Sequence, residues 1–425
     1  MSTWVEHVIW WQVYPLGFVG AEKELARAQP EPHRLARLHG WLDHLVALGA
    51  NGLALGPVFT SRTHGYDTVD YHQIDPRLGD DGDFDALVAA CRERGIRVLL
   101  DGVFNHAGRD FGPVREALDG GADSEAGRWI HWSEGYPVFF EGHDQLVALN
   151  HEAVEVQDLV VEVMTHWLER GADGWRLDAA YAVPPEFWAA VLPRVRERFP
   201  DAWFVGEMIH GDYGDYVQRS GLDSITQYEL WKATWSSLRE RNFWELDWTL
   251  GRHRALLAEL LPLTFIGNHD VTRIATQVSD ARHVPHAVAL LFFLPGVPSV
   301  YYGDEYGLRA TKEDRVGGDD AIRPEMPGAP SEVPHADAEI WSVYQRMIGL
   351  RRRQPWLTRA STSTSAVANE HLLVHATDGD HRLTLALNLA DAPFPLPPGL
   401  GAALEAGAPV RDGAVTPHSW AVLEG

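Results

Sequence analysis

Short apolar runs alternate with amphipathic helical stretches from residue 8 to about residue 355. This order predicts a parallel sheet in which each strand is followed by a helix packed outside it. The strand-like runs occupy residues 8–14, 51–55, 96–103, 174–178, 203–207, 222–227, 263–267 and 297–302. Parallel strands in this number, each with its helix, close into a barrel in about 250 residues, or more with insertions. We therefore predict an α/β fold built on a (β/α)8 barrel.

Two segments break the alternation. Residues 104–152 are too long for an ordinary strand-to-helix connection and are rich in Gly, His and Trp, which predicts an inserted subdomain over one rim of the barrel. Near residue 360 the pattern changes to short alternating runs, such as 371–377 and 381–389, separated by turn-forming residues. The predicted domains are a catalytic barrel (1–103 and 153–358), an inserted subdomain (104–152) and a small C-terminal β-domain (359–425).

The charge balance indicates the kind of partner. The chain has 36 Lys and Arg against 60 Asp and Glu, a net charge of −24, so its average potential repels nucleic acids and anionic membranes. Its 17 tryptophans and 12 tyrosines suit the apolar faces of sugar rings, although aromatic side chains also fill large cores. We expect a neutral partner, and neither a nucleic acid nor a membrane.

Cysteine usage and the N-terminal residues bear on location. The single cysteine, Cys91, excludes a disulfide within the chain. The first residues lack a basic segment followed by a long apolar run, and no stretch approaches the roughly 20 apolar residues of a membrane span. We expect a cytoplasmic protein.

Acidic residues follow several of the predicted strands. Asp101 ends the third, Asp178 the fourth and Glu207 the fifth, and Asp270 lies just beyond the seventh. Because the carboxyl ends of barrel strands share one face, these carboxyls should converge and raise at least one pKa. Glycosidic cleavage needs one protonated and one ionised carboxyl. Arg176, two residues before Asp178 and on the same strand face, is expected to keep that carboxylate ionised and oriented.

Four segments at these positions resemble, in order, the signature segments of the α-amylase family. They are DGVFNH (101–106), GWRLDAAY (174–181), GEMI (206–209) and FIGNHD (265–270). The resemblance runs from VIWWQVYPLGF (8–18) through YYGDEYG (301–307) and IRPEM (322–326), and it thins beyond about residue 358. It implies retaining hydrolysis, with or without transglycosylation, of α-glucosidic bonds in malto-oligosaccharides or a related short α-glucoside.

The resemblance also implies roles. Asp178 corresponds to the nucleophile that forms a glycosyl-enzyme, Glu207 to the general acid/base, and Asp270 to the acid that holds sugar hydroxyls and favours ring distortion. His106 and His269 correspond to histidines that hydrogen-bond the sugar. The remaining predicted pocket or supporting residues are Tyr66 as an aromatic platform, Asp101 as a supporting acid, and His64, Arg323, Asp70, Asp304, Glu305 and Asp320.

The sequence departs from the family pattern at three points. Tyr181 and Ala182 stand where many calcium-dependent α-amylases carry a Lys-His pair. Asn105 matches a calcium-ligating asparagine, which leaves two alternatives open: a structural calcium, or an asparagine hydrogen-bonded within its loop. No cofactor is otherwise required. LVALN (146–150) keeps only the Leu-Asn end of an auxiliary motif. No β-domain precedes the first strand, which argues against trehalose-releasing and neopullulanase-type enzymes and favours a short soluble oligosaccharide.

Other functions remain as alternatives. One is a 4-α-glucanotransferase or a trehalose-related glucosyl enzyme of the same family. Another is a non-catalytic binding relative, although such relatives usually lose a catalytic acid and this chain keeps all three. The third is a metal-dependent hydrolase, suggested by 21 histidines but lacking a His-Glu-x-x-His motif. The oligomeric state stays open.

Overall fold

A parallel barrel forms the centre of the computed structural model, which describes residues 3–28, 33–315, 317–334 and 336–425. Each strand pairs with its neighbours in parallel, and a bridge between Thr226 and Leu263 joins the two end strands. The strands are β1 (Trp10–Val13), β2 (Gly52–Leu55), β3 (Arg97–Gly102), β4 (Gly174–Leu177), β5 (Trp203–Gly206), β6 (Ser224–Ile225), β7 (Leu263–Phe265) and β8 (Val297–Tyr301). Every predicted run contains its strand, so the predicted barrel is confirmed.

A helix follows each strand on the outside of the barrel. The helices are α1 (His39–Leu48), α2 (Asp81–Glu93), α3 (Val154–Glu169), α4 (Pro185–Arg196), α5 (Tyr213–Ser220), α6 (Tyr228–Glu240), α7 (Val284–Phe293) and α8 (Ala338–Arg353), with an additional helix at Trp244–Leu256. Local signals set their ends. Asp80 and Asp83 form a reciprocal capping box at the start of α2, and Gly49, with a left-handed φ of 95°, ends α1.

Alternation along the strands fills the barrel interior. On β1, Trp10 belongs to the interior cluster and Trp11 to the outer core, where it stacks on Trp41 with ring centroids 5.9 Å apart. Trp10 stacks on Trp203 of β5 at 5.8 Å, and these two rings with Leu99 form what we call the barrel floor. Because side chains repeat with period two, the next inward residues toward the carboxyl ends lie above this floor.

Two antiparallel ribbons lie over the carboxyl ends of the strands. Phe59–Ser61 pairs with Thr68–Ile74 between β2 and α2, and this ribbon, which the sequence did not predict, carries Tyr66 in its turn. In the predicted insertion, His106–Gly108 pairs with Leu146–Ala148. The insertion also contains a helix at Gly112–Gly120.

The C-terminal part is a separate antiparallel sheet, as predicted. Its strands are β9 (Ser361–Ser365), β10 (His371–Thr377), β11 (Arg382–Asn388), β12 (Ala403–Ala406) and β13 (Ser419–Glu424), in the spatial order β9-β10-β11-β13-β12. His286 on α7 ties the sheet to the barrel, since its Nε2 lies 3.2 Å from the carbonyl oxygen of Asn388 and 3.0 Å from that of Ser419. Within the described ranges, none of the helices combines the length and the apolar character that crossing a bilayer requires.

Candidate active site

Arg176 lies at the centre of the carboxyl cluster. Its Nη1 donates to both oxygens of Asp101, each at 2.7 Å, and to Oδ1 of Asp178 at 3.1 Å. Its Nη2 lies 2.6 Å from Oε1 of Glu207. The strand register explains the convergence, because Arg176 is paired directly with Asp101 on β3 and with Val205 on β5, two residues before Glu207. One guanidinium therefore binds acids from three different strands.

The cluster holds more acids than cations. Asp101, Asp178, Glu207 and Asp270, which we call the acid rim, face Arg176 and, at Asp270, Arg323. Burial, together with Glu207, Asp101 and Asp270, raises the pKa of Asp178 well above its usual range despite Arg176. The arginine is in place as expected and acts to lower the pKa of Asp178, but burial and the neighbouring acids act in the opposite direction. Crowding of buried like charges therefore favours the protonated form of the rim.

Asp270 has the opposite electrostatic environment. Burial alone would raise its pKa, but His269 and Arg323 hold the pKa well below the usual range. The His269 Nε2 lies 2.9 Å from Asp270 Oδ2, and Arg323 Nη2 donates to Oδ1 at 2.7 Å. The backbone amide of Asp270 donates to Asn268 at 2.9 Å. Asp270 thus stays ionised, oriented from both oxygens, at the partly exposed mouth of the barrel.

Glu207 is held by two further donors. The backbone amide of Ala179 donates to its Oε2 at 3.0 Å, and the Tyr228 hydroxyl donates to Oε1 at 3.2 Å. Ala179 directly follows Asp178 and has a left-handed backbone, with φ of 47°. Non-glycine residues adopt this conformation at a cost and persist in it at functional sites. Here the strained residue links the two acids of the predicted catalytic pair.

The predicted sugar-binding residues line the same mouth. Tyr66 donates to Asp101 Oδ2 at 3.1 Å and hydrogen-bonds His269 Nε2, with the two rings nearly parallel at 5.5 Å. The Nε2 of His106 lies 3.1 Å from the Tyr66 carbonyl, and burial lowers the pKa of His106 to about 3. His106 is therefore neutral, and its Nε2 donates to the Tyr66 carbonyl oxygen. His64, the most exposed of the set, accepts from the Tyr66 amide at 3.3 Å.

An aromatic wall made of Phe140, Tyr181 and His210 borders the mouth on the side of the insertion. Phe140 stacks on the His106 ring at 4.6 Å, and the Tyr181 and His210 rings lie 5.0 Å apart. The Tyr181 hydroxyl donates to Glu141 Oε1 at 2.8 Å, which joins the loop after β4 to the insertion. Tyr181 thus occupies the position at which the family pattern led us to expect a lysine.

Several site residues escaped the sequence reasoning. Gln12 on β1 contacts His269 Nδ1 at 3.2 Å, and Asn268 donates to the Tyr228 hydroxyl at 2.8 Å. Tyr14 lies under Arg323, whose guanidinium carbon is 4.6 Å from the ring centroid. Tyr228 follows the predicted sixth strand directly, so its signal in the sequence is a polar hydroxyl at the end of a strand.

The remaining predicted supporting residues lie away from the acid rim. Asp304 is buried against Arg273 at 2.8 Å, and burial raises its pKa to about 6. Glu305 accepts from Trp11 and pairs with His44 at 2.9 Å in the core. Asp70 accepts from a backbone amide in the first ribbon, and Asp320 pairs with Lys23 on the surface. These acids support the fold around the site.

Asn105 uses its side chain inside the loop. Its Nδ2 lies 3.1 Å from His106 Nδ1, and its backbone carbonyl oxygen accepts from the Leu149 amide. Calcium takes six to eight oxygen ligands, whereas the described side-chain contact of Asn105 is to a nitrogen of His106. The contacts favour the alternative in which Asn105 orients His106, and calcium at this position stays a prediction without a ligand set.

A pocket lies between the barrel floor and the acid rim. Its lining combines apolar floor residues with Asp101, Arg176 and Glu207. The inner sides of the acids thus face a confined space while their outer sides face the mouth. A substrate bound at the mouth would meet the carboxyls in a low-dielectric environment, in which charges act strongly.

Comparison with known proteins agrees with this geometry. Residues 12–375 match the family model described as the alpha-amylase catalytic domain. The chain belongs to the α-amylase family and is a glycoside hydrolase of that family. It is 30% identical over 433 residues to a cyclomaltodextrinase of Geobacillus thermopakistaniensis, covering 93% of this chain and 71% of that protein. It is 29% identical to neopullulanase 2 of Thermoactinomyces vulgaris, covering 89% and 68%.

A solved structure matches the whole chain. The cyclic α-maltosyl-(1→6)-maltose hydrolase of Arthrobacter globiformis, in complex with that cyclic sugar, superposes with a TM-score of 0.81 at 26% identity, covering 100% of this chain and 99% of that one. By contrast, the chain spans about 70% of the length of the two curated relatives. The expectation that set this chain apart from neopullulanase-type enzymes stays a prediction, although a neopullulanase is among its relatives.

Proposed function

We propose that this protein hydrolyses α-glucosidic bonds in short malto-oligosaccharides, linear or cyclic, with retention of anomeric configuration. The observation that carries the proposal is the single Arg176 guanidinium that holds Asp178 and Glu207 together with Asp101. Retaining enzymes need their two catalytic carboxyls close enough for one to attack the anomeric carbon directly. A shared guanidinium favours this shorter separation over one that admits a water molecule between them.

In the first half-reaction, Glu207 supplies a proton and Asp178 forms a bond. Glu207, protonated, gives its proton to the glycosidic oxygen as the bond to the anomeric carbon breaks, and Asp178 attacks that carbon to form the glycosyl-enzyme. Ionisation of Asp178 is coupled to protonation of Glu207, because a neutral Glu207 removes a repulsive charge that raises the pKa of Asp178. A proton on Glu207 thus serves both roles, since it is given to the leaving oxygen and it favours the ionised nucleophile.

The second half-reaction returns the proton. Glu207, now ionised, takes a proton from a water molecule, whose oxygen attacks the anomeric carbon and releases Asp178. Asp270, kept ionised by His269 and Arg323, is placed to accept hydrogen bonds from sugar hydroxyls. Its negative charge also stabilises the oxocarbenium-like transition state. No step in this sequence requires a metal ion or an organic cofactor.

The substrate class rests on the lining and on the relatives. Neutral sugars avoid the repulsion of a chain with net charge −24. The Tyr66 ring and the aromatic wall of Phe140, Tyr181 and His210 offer flat faces for sugar rings. Relatives named for cyclomaltodextrin and cyclic maltosyl-maltose point to small α-glucans rather than granular starch. A cytoplasmic location, predicted from the sequence, accords with a small substrate and stays a proposal.

The test is a substrate panel with product analysis. Maltose, maltotriose, longer malto-oligosaccharides, cyclomaltodextrins, isomaltose, trehalose, sucrose and pullulan are incubated with wild type and, against contaminating activity, with Asp178→Ala. We expect wild type alone to cleave the malto-oligosaccharides, and proton NMR to show the α-anomer first. A β-anomer would overturn the retaining mechanism. Cleavage of trehalose or sucrose only would overturn the substrate class, and larger products without net hydrolysis would identify the 4-α-glucanotransferase instead.

A further inference from the structure

A second cluster of potential ligands lies at the junction of the barrel and the C-terminal sheet. Asp280, His283 and His418 each offer one ligand atom, and these three atoms lie within 4.8 Å of one another. His283 immediately precedes α7, and His418 immediately precedes β13. None of the three contacts the acid rim. The glycosidase chemistry therefore leaves this cluster without a role.

The two imidazoles are already close to a ligating arrangement. The Nε2 of His283 lies 2.9 Å from Nδ1 of His418. Bonds of about 2.0 Å from a tetrahedral zinc would place two such nitrogens roughly 3.3 Å apart. A shift of a few tenths of an ångström in each ring would therefore admit an ion between them. The two nitrogens are joined by a hydrogen bond through one proton. The buried Nδ1 of His283 has no hydrogen-bond partner among the described residues.

His418 is oriented as metal-ligating histidines usually are. Its other nitrogen, Nε2, lies 2.7 Å from Asp391 Oδ1, and a carboxylate in this position fixes the tautomer that leaves Nδ1 free to bind a metal. The backbone of His418 has a left-handed φ of 52°, which few side chains adopt without a compensating interaction. Nδ1 of His418 is thus the nitrogen that faces His283.

Charges around the cluster are close to balance. Asp280 pairs with Arg282 at 2.6 Å, and Arg241 pairs with Glu370 at 2.5 Å and lies 3.6 Å from Asp391. The three carboxylates outnumber the two arginines, so the site carries a net negative charge before any ion binds. The Asp280 carboxylate also caps the short helix Ala281–His283 by accepting from the Arg282 amide, and its other contacts come from the Arg282 side chain. Binding an ion would therefore require Asp280 to release part of its pairing with Arg282.

We propose that Asp280, His283 and His418 bind one divalent transition-metal ion of the zinc type, which clamps the C-terminal sheet to the barrel. Two imidazoles and one carboxylate suit zinc better than calcium or magnesium, which prefer oxygen ligands. The fourth position would hold water. The ion joins residues far apart in sequence, so it stabilises the packing of the sheet on α7 and takes no part in glycosidic cleavage.

The test uses zinc alone on the chelator-treated full-length chain. We expect one bound zinc per chain by mass spectrometry of the metal, and a rise in Tm of roughly 3 °C or more at saturating zinc, with unchanged kcat on maltotriose. His418→Asn should abolish both effects. Asparagine tolerates left-handed φ, so this variant removes the imidazole while sparing the backbone. Asp391→Asn should weaken zinc binding by about 10- to 100-fold.

A matched control separates this site from the other ligand group in the described chain. His33, Asp80 and Asp83 form that exposed group, and His33 also has a left-handed φ, 72°. His33→Asn should leave zinc binding and the Tm rise unchanged. Loss of zinc in His33→Asn, retention in His418→Asn, or a folded wild type that binds no zinc would each overturn the proposal.

Discussion

The barrel floor and the acid rim share one interior and one pattern of alternating side chains, but they have opposite energetic properties. The floor consists of buried apolar rings, with Trp10 and Trp203 stacked at 5.8 Å. Four residues after Trp203, just beyond β5, Glu207 replaces apolar packing with a buried carboxyl. The floor stabilises the fold by removing apolar surface from water. The rim costs stability, because buried like charges gather there.

This difference indicates how the molecule separates folding from chemistry. Strands that end in acids would be poorly stable without a well-packed interior beneath them, and the tryptophan stack supplies that packing. Active sites commonly sacrifice stability for function in this way. Substitutions in the floor should therefore change stability with little effect on chemistry, whereas substitutions in the rim should do the reverse.

The largest effect on activity is expected from substitution of the proposed nucleophile, Asp178. Asp178→Asn should lower kcat/KM on maltotriose by at least about 10⁴-fold, because the amide cannot form the glycosyl-enzyme. It should also raise Tm by about 2 °C or more at pH 7, since a neutral side chain relieves the repulsion within the rim. Steady-state kinetics and differential scanning calorimetry measure the two effects. An inactive variant with lowered Tm would show that the rim does not cost stability.

A substitution in the barrel floor should instead lower stability and leave the rate nearly unchanged. Trp203→Leu should lower the free energy of unfolding by about 2–4 kcal/mol, because it removes the stack on Trp10 and leaves a cavity. Below the unfolding transition its kcat should stay within about threefold of wild type, since Trp203 touches none of the rim acids. Urea unfolding and initial rates at 20 °C check both values. A hundredfold loss of kcat in the folded variant would mean that the floor positions the acids directly.

The pH dependence distinguishes two acids within the rim. The raised pKa of Asp178 means that the folded chain keeps a proton which the unfolded chain releases, so its contribution to stability falls as pH rises above the usual carboxyl range. The lowered pKa of Asp270 makes its contribution present above that range and lost as pH falls. The Tm difference between Asp178→Asn and wild type should therefore grow from pH 5 to pH 8.

Asp270→Asn is the matched control for the sign of the Tm difference. It makes the same chemical change in the same rim, but it should lower Tm at both pH values, because it removes a charge that His269 and Arg323 stabilise. Parallel pH series of Tm for the two variants would test the assignment. Equal shifts of the same sign would contradict the view that the two acids differ in electrostatic environment.

Both the barrel and the rim acids could be predicted from the sequence, for identifiable reasons. Period-two alternation and the spacing of helices determine the strands, and an acid directly after a strand must lie at the carboxyl face. That Arg176 would bind both oxygens of Asp101 could not be predicted, since these 2.7 Å contacts depend on the register between β3 and β4. The Tyr228 and Gln12 contacts depend likewise on closure of the barrel.

The loops and the domain junction were beyond the sequence for a different reason. Phe140 and Tyr181 meet near the mouth, and His283 meets His418, only through the packing of segments distant in sequence. No local periodicity encodes such contacts, and single histidines or tyrosines occur both in cores and at surfaces. The family resemblance marked position 181 as unusual without showing what its side chain contacts.

The smallest expected effect concerns this last residue. Tyr181→Phe keeps the ring of the aromatic wall and removes only the hydrogen bond to Glu141, so kcat for hydrolysis of maltotriose should change by less than about threefold. A freer insertion should admit water more readily, and the ratio of transfer to hydrolysis products at high maltotriose should fall about twofold. Glu141→Gln should retain the wild-type ratio, because its amide oxygen can still accept a hydrogen bond from the tyrosine hydroxyl. If Tyr181→Ala and Tyr181→Phe changed the ratio equally, the hydrogen bond would be responsible; a change in Tyr181→Ala alone would instead assign acceptor binding to the ring.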